Sequence, residues 1–516
     1  MAPPLGMKQR IAQGAQAITA PTSIPAPVGG WNTRDELDAM DALDAVTMDN
    51  FFPDSQGVKV RGGDAVWATG LGASPVETLA QYQNGATHKF LAACGGSVFD
   101  ASASGAVGAA IHTGYTNNRW QTTNFLGKMF LVNGADNAQI YDGSTLADAS
   151  FSGVTLSNLV GVVQYQQRLF FWENNGTGVW YAQLNSISGA LAFFDLSVFV
   201  PSGGVMVGAT TITHDGGNGV LDFIAFIFSS GHVILYLGND PALVSGFQQI
   251  GLYRLSPPVS PRAIATYGGE SYITTYDDYL GLQSQLAALR VGQLPPRSKI
   301  SGAVQAAIIA NKDAFGWQAI YYPKGRRLIY NVPNVDGTFD QHVCNTALPN
   351  TPWCRYQGLN ASCWGLFGDN IFFGGANGIV YQAEVGGTQD DGSPISATVQ
   401  QAWNKINIPS GKRISAVQPI VQSTEGSFTF SIGYDYQPFS IATPQDLVGM
   451  EITDDAGVAI TDDDGVPITT GASGIQPRWH AAGGIGTAFS FGMNLLSAGQ
   501  TSWLRTDFRF EQTQGL

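Results

Sequence analysis

Apolar residues recur along this chain in short runs of consecutive positions. Each run is followed by a turn of Gly, Asn, Asp or Ser and then by a second run. Met129-Phe130-Leu131-Val132 stops at Asn133-Gly134 and resumes at Ile140-Tyr141. Leu169-Phe170-Phe171-Trp172 stops at Asn174-Asn175-Gly176 and resumes at Val179-Trp180-Tyr181. A strand buried on both faces reads this way, and Gly and Asn tolerate the positive φ that tight hairpin turns demand. Seven such hairpins begin at His88, Gly127, Gln167, Leu221, Glu270, Arg326 and Asp369. Their spacing, roughly 40 to 57 residues, is that of propeller blades. Further strand-like runs lie between them, among them VETLAQYQ, LVGVVQYQ, PRAIATYG and FGWQAIYYP. Two strands and a hairpin make a four-stranded blade. The pattern therefore predicts an all-β chain whose residues 31–385 form a β-propeller of about seven blades. The WD, kelch and aspartate-box signatures are missing, so irregular blades are expected, and a string of β-sandwiches is the competing arrangement.

The rhythm changes after Glu384. VGGTQDDGSPIS is a polar, Gly-rich boundary, followed by alternating strands such as SFTFSIGYDYQ, AFSFGMNLL and WLRTDFRFEQ. Residues 386–516 are expected to form a separate antiparallel β domain. An acidic insert, 451–471, sits inside it with Ile452, Ile460 and Ile468 in tandem register. Residues 1–30 are rich in Ala, Pro and Gly and read as an extended arm, mobile or laid on a neighbouring subunit. The arm lacks the apolar segment of a secretion signal. No apolar run reaches the roughly 18–20 residues that span a bilayer.

Composition sharpens this picture. Apolar residues make up 44% of the 516 positions and Gly occupies 64 of them, while charged residues are only 12%. That mixture suits a turn-rich β protein and argues against disorder. A thinly charged surface also points to cover by neighbours. The net charge of −14 leaves no basic footprint for general nucleic-acid binding, though a polyanion slides well along walls that repel it.

Reactive chemistry is hard to find. GxSxG, SxxK and HExxH are absent, and the six histidines are scattered. Cys94, Cys344, Cys354 and Cys363 form no CxxC pair. They read as buried free thiols, with a Cys344–Cys354 or Cys354–Cys363 bridge as the alternative. Asp454, Asp455, Asp462, Asp463 and Asp464 cluster in the tandem insert, but consecutive Asp residues and Thr461 break the spacing of a calcium loop. A solvated acidic tip is expected there. Asp100, Asp142 and Asp277 stand beside hairpins, where Asp is turn chemistry. Lys324, Arg326 and Arg327 make a basic turn, either simply exposed or facing a partner or DNA. No cofactor is implied.

Three stretches carry a resemblance. They are GGWNTRDELDAMDALDAVTMDNFFPDSQGVKVRGG from Gly29, SISGALAFFDLSVFVPSGGVMVGATTITHDGGNGVLDFIAFIFSSGHVILYLGNDP from Ser186, and SPRAIATYGGESYITTYDDYLGLQ from Ser260 with the following PRSKIS. Together they resemble structural proteins of tailed bacteriophages. The order of opening motif, propeller and added β domain is similar to the tail nozzle, or tail tubular protein B, of short-tailed phages. The resemblance implies a homohexameric ring below the adaptor and portal, made in a bacterial cytoplasm and carried in the virion. Tail fibres would dock on its outside and double-stranded DNA would pass transiently through it. No catalytic residue comes with the resemblance. Competing readings are a receptor-binding or head-completion protein of the same particles, and a propeller hydrolase of host glycans that would need paired carboxylates at its centre.

Overall fold

The computed structural model describes residues 21–512 apart from 202, 216–219, 295, 386, 388, 407, 409, 424–425, 445–449, 452–468, 471–473 and 477–478. Among these residues the chain is all-β, with two short helices, α1 (Leu282–Arg290) and α2 (Ser301–Asn311).

Each hairpin legible in the sequence is the middle of a small antiparallel sheet. Five sheets are separate. Blade 1 runs from Val76–Asn84 to His112–Thr113, blade 2 from Gln121–Phe125 to Leu146–Asp148, and blade 3 from Leu159–Tyr165 to Ala192–Asp195. Blade 4 runs from Met206–Asp215 to Phe247–Arg254. Blade 5 has three strands, Ile264–Tyr267, Glu270–Thr274 and Tyr279–Gly281, with α1 packed against the last two. Two more four-stranded units lie at the ends of a larger sheet. Blade 6 is Gln318–Tyr322 to Trp353–Tyr356. Blade 7 is Ala361–Phe367, Asn370–Gly375 and Val380–Val385, completed by Gly63–Thr69 from the other end of the chain. The first strands of the seven blades pack in sequence, and that of blade 7 returns to that of blade 1. The propeller is therefore closed, with seven blades.

The middle strands explain the consecutive apolar runs. Along Lys128–Val132, Met129 and Leu131 join the cluster shared with blade 1, whereas Phe130 and Val132 join the cluster shared with blade 3. Leu169 and Phe171 face blade 2, while Phe170 and Trp172 face blade 4. Side chains alternate across a strand, so a strand sandwiched between two blades needs apolar residues at every position. At about 25 cal/mol per Å² of apolar surface, these inter-blade layers are the main stabilising contact of the ring.

The remaining strands form a sandwich. In one sheet Thr501–Gln512 lies between Lys412–Ser423 on one side and Thr22–Pro25 and Val58–Val60 on the other. The facing layer contains Gly30–Trp31, Asp44–Asp49, Ser393–Gln401, Phe489–Ser497 and Gly426–Tyr434. Phe491 and Phe430 pack on Phe508 and Trp503 between the layers. The propeller expected to start at residue 31 thus starts at Gly63. Strands between Gly30 and Val60 belong to the sandwich because their partners are carboxy-terminal. The expected arm of residues 1–30 likewise ends in a paired strand, Thr22–Pro25.

Cys94, Cys344, Cys354 and Cys363 are free and buried. Register explains why Cys344 and Cys354 do not bridge. Cys344 opposes Trp353, and Cys354 opposes Val343, so the two thiols point to opposite faces of blade 6.

Candidate functional site

The axis of a propeller, where the inner strands converge, is the natural place for a ligand. Here it holds a void of only about 180 Å³, lined by Thr78, Trp120, Gln121, Ile264, Gln318 and Trp364 among others. Arg262 is part of its lining. It precedes the inner strand of blade 5 and reaches across the ring. Its Nη1 donates to the carbonyl of Glu77 at 2.5 Å, and its Nη2 donates to Thr78 Oγ1 at 2.5 Å and to the carbonyl of Trp120 at 2.9 Å. The Phe315 ring lies under both Arg262 and Arg119, at 5.3 and 4.2 Å. Arg119 in turn pairs with Glu77 at 3.1 Å. Burial pulls the pKa of Arg262 down, yet a guanidinium stays charged at any physiological pH. Further along the axis, Gln318 donates to the Trp364 carbonyl and accepts from its N–H, at 2.9 and 2.8 Å. Arg262 and Gln318 are thus engaged, whereas among the described residues the indole N–H of Trp120 has no partner. Among the described residues, no carboxylate lines this void.

A second concave site lies where blade 7 meets the sandwich. Arg61 is 1% exposed. Its two terminal nitrogens grip Asp390 at 2.7 and 2.5 Å, and its Nε donates to Asn50 Oδ1 at 2.9 Å. Asp64, on the ring-closing strand, stands beside Asp390 in parallel register. Burial, and then the charge of Asp390, push the Asp64 carboxyl up to about 7. The cleft above them has a volume of about 370 Å³. Its acids, Asp64 and Asp390, are more than 300 positions apart in sequence, so local pattern gives no hint of them.

Of the residues singled out from the sequence, Asp454, Asp455, Asp462, Asp463 and Asp464 lie outside the described residues. Lys324 and Arg326 are exposed on the turn before Arg327–Pro333, with Lys324 Nζ 3.1 Å from Asn370 Oδ1. Arg327 departs from the expected exposed or partner-facing turn. It is buried against Phe52, pairs with Glu384 and donates to the Tyr356 hydroxyl at 3.0 Å. Burial alone would lower its pKa, but the adjoining Glu384 charge raises it. Asp142 accepts from the backbone of Ser144 and Thr145, Asp100 from Ser102, and Asp277 from the Thr275 hydroxyl, which is turn chemistry. Buried His342 accepts from or donates to Tyr279 at 2.9 Å, and burial pulls its pKa to about 3. Among the described residues, no three His, Cys, Asp or Glu are placed to hold a metal ion.

No family model matches the chain, and no curated protein matches it significantly. Solved structures do. The β-propeller domain of Cps50 (Swd1) from Myceliophteria thermophila aligns with 62% of this chain and 99% of its own, at 10% identity and a TM-score of 0.41. Saccharomyces cerevisiae Sqt1 aligns with 63% of this chain and 99% of its own, at 10% identity and a TM-score of 0.39. The computationally designed Ika8 protein aligns with 66% and 96%, at 7% identity and a TM-score of 0.36. The propeller assignment rests on the strand pairings themselves.

Proposed function

We propose that this chain is a structural component of a short-tailed phage tail, the nozzle ring below the adaptor through which DNA is held and released. The observation that carries the reading is the narrow axis, crossed by Arg262. A ligand-binding or hydrolytic propeller needs an open centre with polar groups free to act, whereas here Arg262 bolts blades 1, 2 and 5 together. The three stretches that carry the phage resemblance fall at mechanical points. Gly29–Gly63 joins sandwich to propeller, Ser186–Pro241 spans the passage from blade 3 to blade 4, and Ser260–Ser301 holds Arg262 and α1. In this reading DNA passes between copies, along a lumen that the ring encloses, and not through the axis of one propeller. Six copies at −14 each would carry about −84, and like charge keeps a polyanion from sticking. Catalysis has no part in this reading, and the ring's partners are further copies, the adaptor side of the tail and the fibres. Cryo-electron microscopy of virions checks it. Density for this chain as a six-fold ring at the distal tail is expected. Density in the capsid shell, or a monomer on a fibre, overturns the proposal.

A further inference from the structure

Arg262 carries a charge without a counter-charge. Among the described residues, each acceptor that it meets is neutral: the carbonyls of Glu77 and Trp120 and the hydroxyl of Thr78. A guanidinium has five N–H donors. Those bonds use three of them, so the others have no acceptor among the described residues. The charged groups that face Arg262 are Glu77 and Arg119, and these two pair with each other at 3.1 Å. Cys363 also stands near, but burial pushes its thiol up to about 12, so it is neutral. The axis is thus left with the positive charge of Arg262 unbalanced, and a charge so deep in a protein is rarely without a partner.

The void that Arg262 lines suits an anion. No carboxylate of the described residues borders it. Gln121 and Thr122, consecutive on the inner strand of blade 2, line it, and neither side chain hydrogen-bonds to another described residue. Both can donate. Trp120 lines it too, is 2% exposed, and has an indole N–H with no partner among the described residues. The volume of about 180 Å³ equals about six water molecules at about 30 Å³ each. It falls well below the roughly 300–1,000 Å³ of sites for organic ligands. An inorganic ion fits, whereas a sugar or a nucleotide does not.

We propose that the propeller axis binds one small inorganic oxyanion, of the class of phosphate, against Arg262. Such an ion spreads its charge over several oxygens, so it can accept at once from blade 2 and from the arginine that precedes blade 5. It is a structural ion, neither turned over nor carried, and it adds a charged link to a junction otherwise made of neutral acceptors. The inference stands apart from the ring reading.

Equilibrium dialysis of the full-length protein against radiolabelled phosphate at constant ionic strength tests it, with the thermal midpoint followed in parallel. Saturable binding of one phosphate per chain is expected. The midpoint should rise by about 2 °C once phosphate exceeds its dissociation constant about a hundredfold. Sulfate should displace the label, and chloride at equal ionic strength should not. Gln121→Glu puts a carboxylate beside the void and should abolish both the binding and the rise. Should that chain not fold, Thr122→Val takes its place and should weaken binding about tenfold, as loss of one hydrogen bond to an anion predicts. Binding that does not saturate, an equal effect of chloride, or wild-type affinity in the folded variant overturns the proposal.

Discussion

The guanidinium of Arg327 lies 4.0 Å from the centroid of the Phe52 ring, and through that contact a blade 6 strand is clamped to a strand of the sandwich. The same arginine pairs with Glu384 of blade 7, whose side chain is 12% exposed. Removing it strands a buried carboxylate. Arg327→Met is expected to cost about 3–5 kcal/mol, read as a lower urea midpoint. Adding Glu384→Gln should recover most of that loss, because the stranded charge goes with it.

Arg262 gives a second measurement on the axis. Arg262→Leu leaves the carbonyls of Glu77 and Trp120 without their donor, at an expected cost of about 2–3 kcal/mol. Arg262→Lys should rescue little, since a single ammonium cannot present a fork to two blades. Thermal unfolding of both variants, with retained β-sheet circular dichroism, checks the outcome.

Two titrations oppose each other. The Asp64 carboxyl is raised to about 7 in the fold from 3.8. The folded state therefore holds an extra proton between those values, and stability falls as pH rises towards 7. The His342 imidazole is lowered to about 3 from 6.5. There the unfolded state holds the extra proton, and stability falls as pH drops below 6.5. Each slope is about 1.4 kcal/mol per pH unit, so between about pH 4 and 6.5 they cancel. Asp64→Asn should uncover the histidine, losing about 3 kcal/mol from pH 6.5 to 4. His342→Gln should uncover the opposite slope. Urea midpoints across pH 4 to 8 settle the point, and parallel profiles for the two variants contradict it.

All four thiols are buried, and burial pushes Cys344 and Cys363 up to about 12. A thiol-reactive dye should titrate none in the native protein and four after denaturation. Reducing agent should leave the melting temperature unchanged, since the four cysteines are free and offer no disulfide to reduce.

Ring closure depends on close backbone approach. A Cβ on Gly63 would sit 1.9 Å from the Gln389 carbonyl oxygen, and backbone cannot swing aside as a side chain can. Gly63→Ala should loosen the closing strand first. Faster hydrogen exchange in Gly63–Thr69 than in the middle strands of blades 2 to 4 is the expected signature.

Hairpins are local, and their apolar runs and Gly or Asn turns made all seven blade centres readable from sequence. FGWQAIYYP and LVGVVQYQ likewise proved to be inner strands. Long-range pairing was not readable. Gly63–Thr69 looks like any short strand until it is set beside Val380–Val385, and Asp44–Asp49 until it meets Thr398–Gln401. Arg262 follows a proline in an unremarkable PRAIA run, and nothing in its neighbours says that its side chain crosses the axis. Arg327 misled for the same reason. A turn composition places the backbone at the surface, but the partner that buries the side chain, Glu384, comes from another blade.

Thr22–Pro25 finds its partner in Arg505–Phe508, so a strand waits for a partner made 484 residues later, as for Ser23 and Asp507. Blades 1 to 4 have all their strands in hand as they emerge, but the sandwich has no complete layer until Thr501–Gln512 has been made. Contacts of such sequence separation form slowly, and the unpaired edges meanwhile invite wrong partners. A nascent chain of this design has a long vulnerable interval, and cells making many copies at once would feel it as a dependence on chaperones and on temperature during assembly.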